Sequence, residues 1–276
     1  MTEYRRLTGS FFLEGKGLHT GQESRVSIEP PNSADGGLTL CAGGAELPLS
    51  ELALEGSGRG SDLIFPDGKR VRTCEHVLSA LVGPGVWSAR LSVTGAEMPA
   101  LDGCAFTAAR RIMDHSTPCD EGPEPLFLSC PVHVGDLSRF VVALPAPVFH
   151  VTCVIEYEAQ SIGTQILDYG GAGDYLKTIA PARTFAMEED IEALRAAGMA
   201  LGGSLDNAIL VKKSGVETRG GLRFSDEFVR HKTLDLIGDL ANLGRPVVAH
   251  VVAVRAGHVL HLQLVERLRA LLRGTR

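Results

Sequence analysis

No two cysteines in this chain stand in a C-x-x-C pair: Cys41, Cys74, Cys104, Cys119, Cys130 and Cys153 are scattered. A chain of 276 residues buries enough apolar surface to fold without cross-links, so a reduced, cytoplasmic protein is expected. A basic excess is missing too. The 27 Lys and Arg against 33 Asp and Glu leave a net charge of -6, which offers no footprint for nucleic acid. No long apolar run follows the polar stretch from Met1 to Gly9, so neither a signal peptide nor a transmembrane helix is expected. A lipidic substrate would be met at the membrane surface, through peripheral contact at most. What is present is ordinary globular composition, 44% hydrophobic and 22% charged, in a length that suits two domains.

The stretch from His115 to Pro125 holds Pro118, Pro123, Pro125, Gly122 and three acids and reads as a linker, centred on residues 118–125. It divides an N-terminal α+β domain, residues 1–117, from a C-terminal one, residues 126–276. Before it, alternating strands (24–29, 38–41) precede a helix from about Thr73 to Leu81, a strand at 87–93 and a helix from Cys104 to Met113. After it come strands at 126–134, 140–144 and 148–158, a helix from Ser225, a strand at 247–254 and a closing helix from about His258 to Leu272. In both halves a helix with an early His (His76, His231) runs into glycine, then strand, loop and second helix follow. Two related α+β units, each supplying one imidazole, are the expected architecture. The second half carries an additional segment around 186–211, with helical spacing over Ala186 to Gly198 and a short strand at 208–211, placed to shape a substrate pocket.

The helix from Ser225 to Leu243 is the most informative element. At ~100° per residue, His231, Asp235, Asp239 and Asn242 share one narrow stripe with Lys232 at its edge, while Val229, Leu234, Leu236, Ile237, Leu240, Ala241 and Leu243 cover most of the rest. A helix apolar over most of its circumference is a buried helix, and a buried stripe of His and Asp needs a metal, a proton relay or a substrate. The other reading is a solvated face on a half-exposed helix. Ser225 is placed as the N-cap, with Asp226 and Glu227 in the first turn and Gly244 and Pro246 beyond the far end.

His231 and Asp235 stand four residues apart, so an imidazole nitrogen and a carboxylate oxygen can reach one cation. A catalytic zinc usually has three protein ligands and an open position. The third candidate is His76, with Cys74 a rival. If His76 binds the ion, its neighbour Glu75 can lie beside it and take a proton from water as general base; otherwise both are ordinary first-turn residues. His258 starts the last helix, and Asp239 could orient it and hold it protonated. His115, His133, His150, His250 and His261 read as structural.

Together these segments resemble the zinc-dependent UDP-3-O-acyl-N-acetylglucosamine deacetylase family of lipid A biosynthesis. The matching stretches are Gly15-Lys16-Gly17-Leu18-His19-Thr20-Gly21, Thr73-Cys74-Glu75-His76, Glu97-Met98-Pro99-Ala100-Leu101-Asp102-Gly103, Ala182-Arg183-Thr184-Phe185, Gly203-Ser204-Leu205-Asp206-Asn207-Ala208, the run from Leu222 through Asp235, and Gly257-His258. The resemblance implies His76, His231 and Asp235 as ligands of one zinc, Glu75 as general base, His258 as catalytic imidazole with Asp239 as its partner, and Thr184 as an oxyanion donor. It places Lys232, Phe185 and His19 at the substrate. It implies two α/β-sandwich domains with helices between two sheets and the site at their junction. The activity implied is metal-dependent hydrolysis of the N-acetyl group of an acylated UDP-sugar, by a monomer. The same ligands suit iron(II). Other readings that keep these residues are a regulatory homologue without turnover and an amidase for another N-acyl sugar.

Two departures stand out. Where the family carries two asparagines shortly after its catalytic His, this chain has His261-Leu262. The segment from Glu46 to Arg72 also lacks the family's longer Thr- and Cys-rich stretch. Both are expected to alter acyl-chain length and substrate grip and to leave the metal chemistry untouched.

Overall fold

A computed structural model describes residues 4–32, 36–170 and 174–274. Its frame is two sheets built to one plan. In the first, strands Phe11–Lys16, Glu23–Glu29, Ala89–Thr94, Leu38–Ala42 and Ala45–Pro48 lie side by side in that order. In the second the order is Val132–Gly135, Phe140–Pro145, Val247–Val254, His150–Glu156 and Thr164–Gly170. Each central strand is the last in sequence of the strands in its sheet. It pairs antiparallel with one neighbour and parallel with the other. The recurrence in the sequence is therefore a recurrence of topology.

Alternation along the strands gives each sheet one apolar face. Val26 and Ile28 in the first sheet, and Val141, Ala143, Val151, Cys153, Ala249 and Val251 in the second, are buried. Among the described residues six α-helices accompany the sheets: α1 (Glu75–Val82), α2 (Phe106–Asp114), α3 (Tyr175–Thr178), α4 (Ile191–Ala196), α5 (Glu227–Leu240) and α6 (His258–Gly274). The protein is an α+β fold in which α1 is buried along its whole length and packs on α5. Leu234 and Ile237 of α5 belong to the core of the first sheet, whereas Phe228, Val229, Leu236 and Leu240 belong to that of the second. A helix that feeds two cores has to be apolar on two sides, which is why the polar stripe is narrow.

The two helices cross at Gly238. A Cβ there would lie 1.9 Å from the carbonyl oxygen of Glu75, so no larger residue fits without moving α1.

Several local expectations are corrected. Ser225 does not cap α5, which begins at Glu227 with Asp226 before it and no side-chain cap bond; Asp226 pairs instead with Arg230 at 2.6 Å. The expected strand over 126–134 is two short pieces, Leu126–Phe127 and Val132–Gly135. Part of the expected linker is strand, since Ser116–Cys119 pairs antiparallel with Tyr4–Leu7. The stretch from Ala186 to Gly198 is helical only from a 3-10 turn at Glu188–Asp190 through α4. Its first residues form the strand Phe185–Met187, because their backbone groups pair with the strand Ile209–Lys212, which in turn pairs with Gly215–Glu217. The segment from Glu46 to Arg72 folds into a three-stranded sheet of its own: Ala53–Ser57, Gly60–Ile64 and Arg70–Val71.

Replacing Gly238 by Ala is expected to lower stability by about 1–3 kcal/mol through overpacking. Urea denaturation measures it, and an unchanged midpoint would contradict so close a crossing.

Candidate metal centre

The start of α1 is fixed by a strained residue and a buried acid. Thr73 takes a φ of 53°, a left-handed backbone that β-branched residues avoid. Its hydroxyl donates to Glu97 Oε1 at 3.0 Å. The Glu97 carboxylate also accepts from the backbone N–H groups of His19 and Thr20, both at 2.8 Å, and from the Thr20 hydroxyl at 2.7 Å. One buried carboxylate thus ties the Gly17–Gly21 loop to the residues that enter α1, and Glu75 and His76 follow in its first turn.

Opposite them, α5 presents His231 and Asp235, each 1% exposed, which decides for the buried stripe. His76 Nε2 lies 3.4 Å and His231 Nε2 3.3 Å from Asp235 Oδ1. That oxygen is buried without a hydrogen-bond partner among the described residues, a costly condition that a cation would relieve. The other oxygen accepts from Lys232 Nζ at 2.8 Å. His231 donates from Nδ1 to the Ala182 carbonyl at 3.1 Å, which leaves Nε2 as the lone-pair nitrogen facing Asp235. These three side chains fit a divalent cation. Cys74 does not join them, because its buried thiol donates to the Val71 carbonyl.

The protonation states follow from burial and neighbours. Burial drives His231 down to about 3, so it is neutral. Burial also opposes charge on His76, but Asp235 and Glu75 outweigh it and its pKa is raised. Asp235 is held well below the carboxylate range, the cations around it overcoming burial. Glu75 is raised, chiefly by burial and further by Asp239 and Asp235, which moves a carboxylate toward the range of a general base.

Behind Glu75 lies a second network. Asp239 Oδ2 accepts from His258 Nδ1 at 2.9 Å and from His261 Nδ1 at 2.8 Å. Its Oδ1 accepts from the Ser61 hydroxyl, and the Ser61 backbone N–H donates to Glu75 Oε2 at 3.0 Å. Burial would push His258 down, but the Asp239, Glu75 and Asp235 carboxylates lift it to about 9. Its Nε2 points into the site, 3.6 Å from Asp235 Oδ2 and 4.0 Å from Glu75 Oε1. His261 is lowered by burial.

The residues before Thr184 are anchored to α5 by an almost fully buried pair. Glu227 accepts from Arg183 Nε at 2.9 Å, from the Arg183 backbone N–H at 3.0 Å and from the Arg223 backbone N–H at 2.6 Å. With a further bond from Arg183 Nη2 at 3.2 Å, this carboxylate ties the start of α5 to the segments around Arg183 and Arg223.

A cavity of about 770 Å³ opens over these groups. His19, Glu75, His76, Thr184, Phe185, His231, Lys232, Asp235 and His258 line it, and of the expected site residues only Asp239 stands behind the wall. Met187, Ile191, Leu194 and Leu210 add an apolar side from the 186–211 segment. Lys232 is largely occupied by Asp235, with its ammonium 5.5 Å from the Phe185 ring centre. His19 accepts at Nδ1 from Ala200 N–H at 3.4 Å and meets the Arg59 carbonyl through Nε2 at 3.2 Å.

Two contributors were not expected. His261 is three residues from His258 and so shares its helix face, a spacing visible in the sequence. Ser61 carries no such signal. It belongs to the 46–72 segment, and its hydroxyl and backbone N–H reach Asp239 and Glu75, so this segment also borders the catalytic network.

The chain is matched over residues 5–270 by the family model for LpxC, UDP-3-O-acyl N-acetylglycosamine deacetylase. It belongs to this family. Relatives named UDP-3-O-acyl-N-acetylglucosamine deacetylase include one from Thermosynechococcus vestitus, 38% identical over 95% of this chain and 93% of its own length. That of Myxococcus xanthus is 37% identical over 95% of this chain and 85% of the relative, and that of Phenylobacterium zucineum 37% over 93% and 89%.

Arg183→Ala leaves Glu227 buried and uncompensated, so a loss of about 3–5 kcal/mol is expected. Equilibrium denaturation measures it, and a loss well under that range would show that the pair does not hold the two segments together.

Proposed function

We propose that this chain hydrolyses the N-acetyl group of a UDP-3-O-acyl-N-acetylglucosamine, releasing acetate and the free glucosamine amine, with one zinc held by His76, His231 and Asp235. The observation that carries this reading is the buried Asp235 oxygen with two imidazole nitrogens within 3.4 Å and no hydrogen-bond partner among the described residues, in a cavity that Glu75 and His258 also line. The names of the relatives agree with it.

When bound, zinc supplies Lewis acidity that polarises a carbonyl and acidifies water to a pKa of about 7, and iron(II) suits the same donors. Glu75, lifted by burial, takes the proton of the attacking water. The Thr184 hydroxyl and protonated His258 donate to the tetrahedral oxyanion, and removal of such a donor typically costs roughly 2.7 to 4 kcal/mol. Both Glu75, once protonated, and His258 carry a proton within reach of the leaving amine. Lys232 screens Asp235, while Phe185 and the apolar side of the cavity take the acyl chain, and His19 sits at the sugar. Among the described residues no helix is long and apolar enough to cross a membrane. We place the enzyme in the cytoplasm as a monomer that meets its lipidic substrate at the membrane surface.

Glu75→Ala is expected to keep its zinc and to release acetate about 10²–10⁴ times more slowly, whereas His231→Ala loses both zinc and activity. Metal analysis beside an acetate assay separates the two, and full activity in either variant overturns the proposal.

The rate should also fall on both sides of neutrality. On the acid side Glu75, raised from its ordinary 4.5, gains a proton; on the alkaline side His258 loses one near pH 9. Because the folded value of His258 lies above the ordinary 6.5, its contribution to stability is full below that value and is lost as pH rises through about 9. In Asp239→Asn the alkaline limb moves to lower pH. A limb that stays in place would show that Asp239 does not hold the proton on His258.

A further inference from the structure

Among the described residues, four trios of His and acidic side chains bring one donor atom each within 4.8 Å of the others. Three of the trios are built from the catalytic network already described. The fourth, His150, Asp168 and His250, shares no residue with it. We propose that this trio is a second divalent-cation site, suited to a borderline metal such as zinc, on the outer face of the second sheet.

Strand register makes the site. His150 lies opposite His250 in the parallel pair at the sheet centre, and Thr152 lies opposite Asp168 in the adjoining antiparallel pair. Alternation turns Val151, Cys153, Ala249 and Val251 into the core and leaves His150, Thr152, Asp168 and His250 together on the other face. Opposite His150 on the edge strand stands Gly170, where a Cβ would come within 3.4 Å of His150 Nδ1.

The polar atoms already converge. His150 Nε2 is 2.5 Å from Asp168 Oδ1, and the Thr152 hydroxyl donates to the same oxygen at 2.9 Å. A hydroxyl has one proton, so at its 2.9 Å contact with His250 Nε2 Thr152 accepts and the imidazole donates. Both histidines therefore hold a proton on Nε2, and a cation takes the place of those protons while each neutral ring carries its hydrogen on Nδ1. Two imidazoles and a carboxylate are the donor set of the catalytic trio, and three protein ligands with solvent in the remaining position satisfy zinc. The side chains of His150 and Asp168 are 30% and 67% exposed, so an ion enters without opening the fold. Once bound, it clamps the edge strand Thr164–Gly170 to its neighbour His150–Glu156 and to the central strand Val247–Val254 beyond it, and folding stability rises with free zinc.

Equilibrium dialysis against zinc, with elemental analysis, tests this on the wild-type protein and on His150→Ala, His250→Ala and Asp168→Asn. The wild type is expected to hold a second equivalent that both histidine variants lack, while they keep the first equivalent and the deacetylase rate. Wild type that stops at one equivalent overturns the proposal, as does a second equivalent that persists in the variants. Thermal unfolding without zinc checks that the variants fold; should an alanine variant fail, His150→Gln and His250→Gln take its place. The second equivalent is read as the difference between wild type and variants, so the result stands whether or not the deacetylase reading does.

Discussion

The close crossing of α1 and α5 is the constraint on which the site depends. With no side chain at Gly238, the backbone of Glu75 comes down onto α5, and a Cβ there would stand 1.9 Å from its carbonyl oxygen. This one approach brings the first turn of a helix from the first half beside the middle of a helix from the second. His76 thereby reaches the carboxylate that His231 also faces, and Glu75 arrives beside the imidazole of His258. The two related sheets provide the rigid walls. The crossing supplies the proximity, and α5 can serve both cores because its apolar surface extends around two sides of the polar stripe.

Electrostatics repeat one device twice along that stripe. Asp235 and Asp239 stand one turn apart, and each gathers imidazoles: His76 and His231 face one oxygen of Asp235, and His258 and His261 donate to one oxygen of Asp239. Around Asp235 the carboxylates raise His76 while burial drives His231 down to about 3; around Asp239 they lift His258 to about 9 while burial lowers His261. The pairs differ in what else is satisfied. Asp239 is fully bonded, by Ser61 and both histidines, and so acts as a positioning group. Asp235 keeps an oxygen with no hydrogen-bond partner among the described residues, and so is the one suited to a metal.

Much of this could be read from the sequence where it lay within one helix. The stripe on α5, the His231 and Asp235 spacing and the adjacency of Glu75 and His76 follow from helical periodicity, and the strand at 247–254 from a β-branched apolar run interrupted only by His250. What depended on pairing between distant strands was hidden. Ser61 reaches Asp239 across 178 positions of sequence, and no local pattern announces such a contact. His150 and His250 looked like isolated histidines because their opposition exists only in the register of a parallel pair. The start of α5 was hidden for a related reason: its first residue, Glu227, is held by donors from Arg183 and Arg223, and Arg183 lies 44 positions away.

The central claim is that His76, His231 and Asp235 hold one divalent ion between the two halves of the protein. Anomalous diffraction from crystals of the zinc-loaded protein, recorded on either side of the zinc absorption edge, tests it most directly. A peak about 2.0–2.2 Å from His76 Nε2, His231 Nε2 and an Asp235 oxygen is the predicted result. No peak at that position, in crystals whose metal content is established, would contradict it.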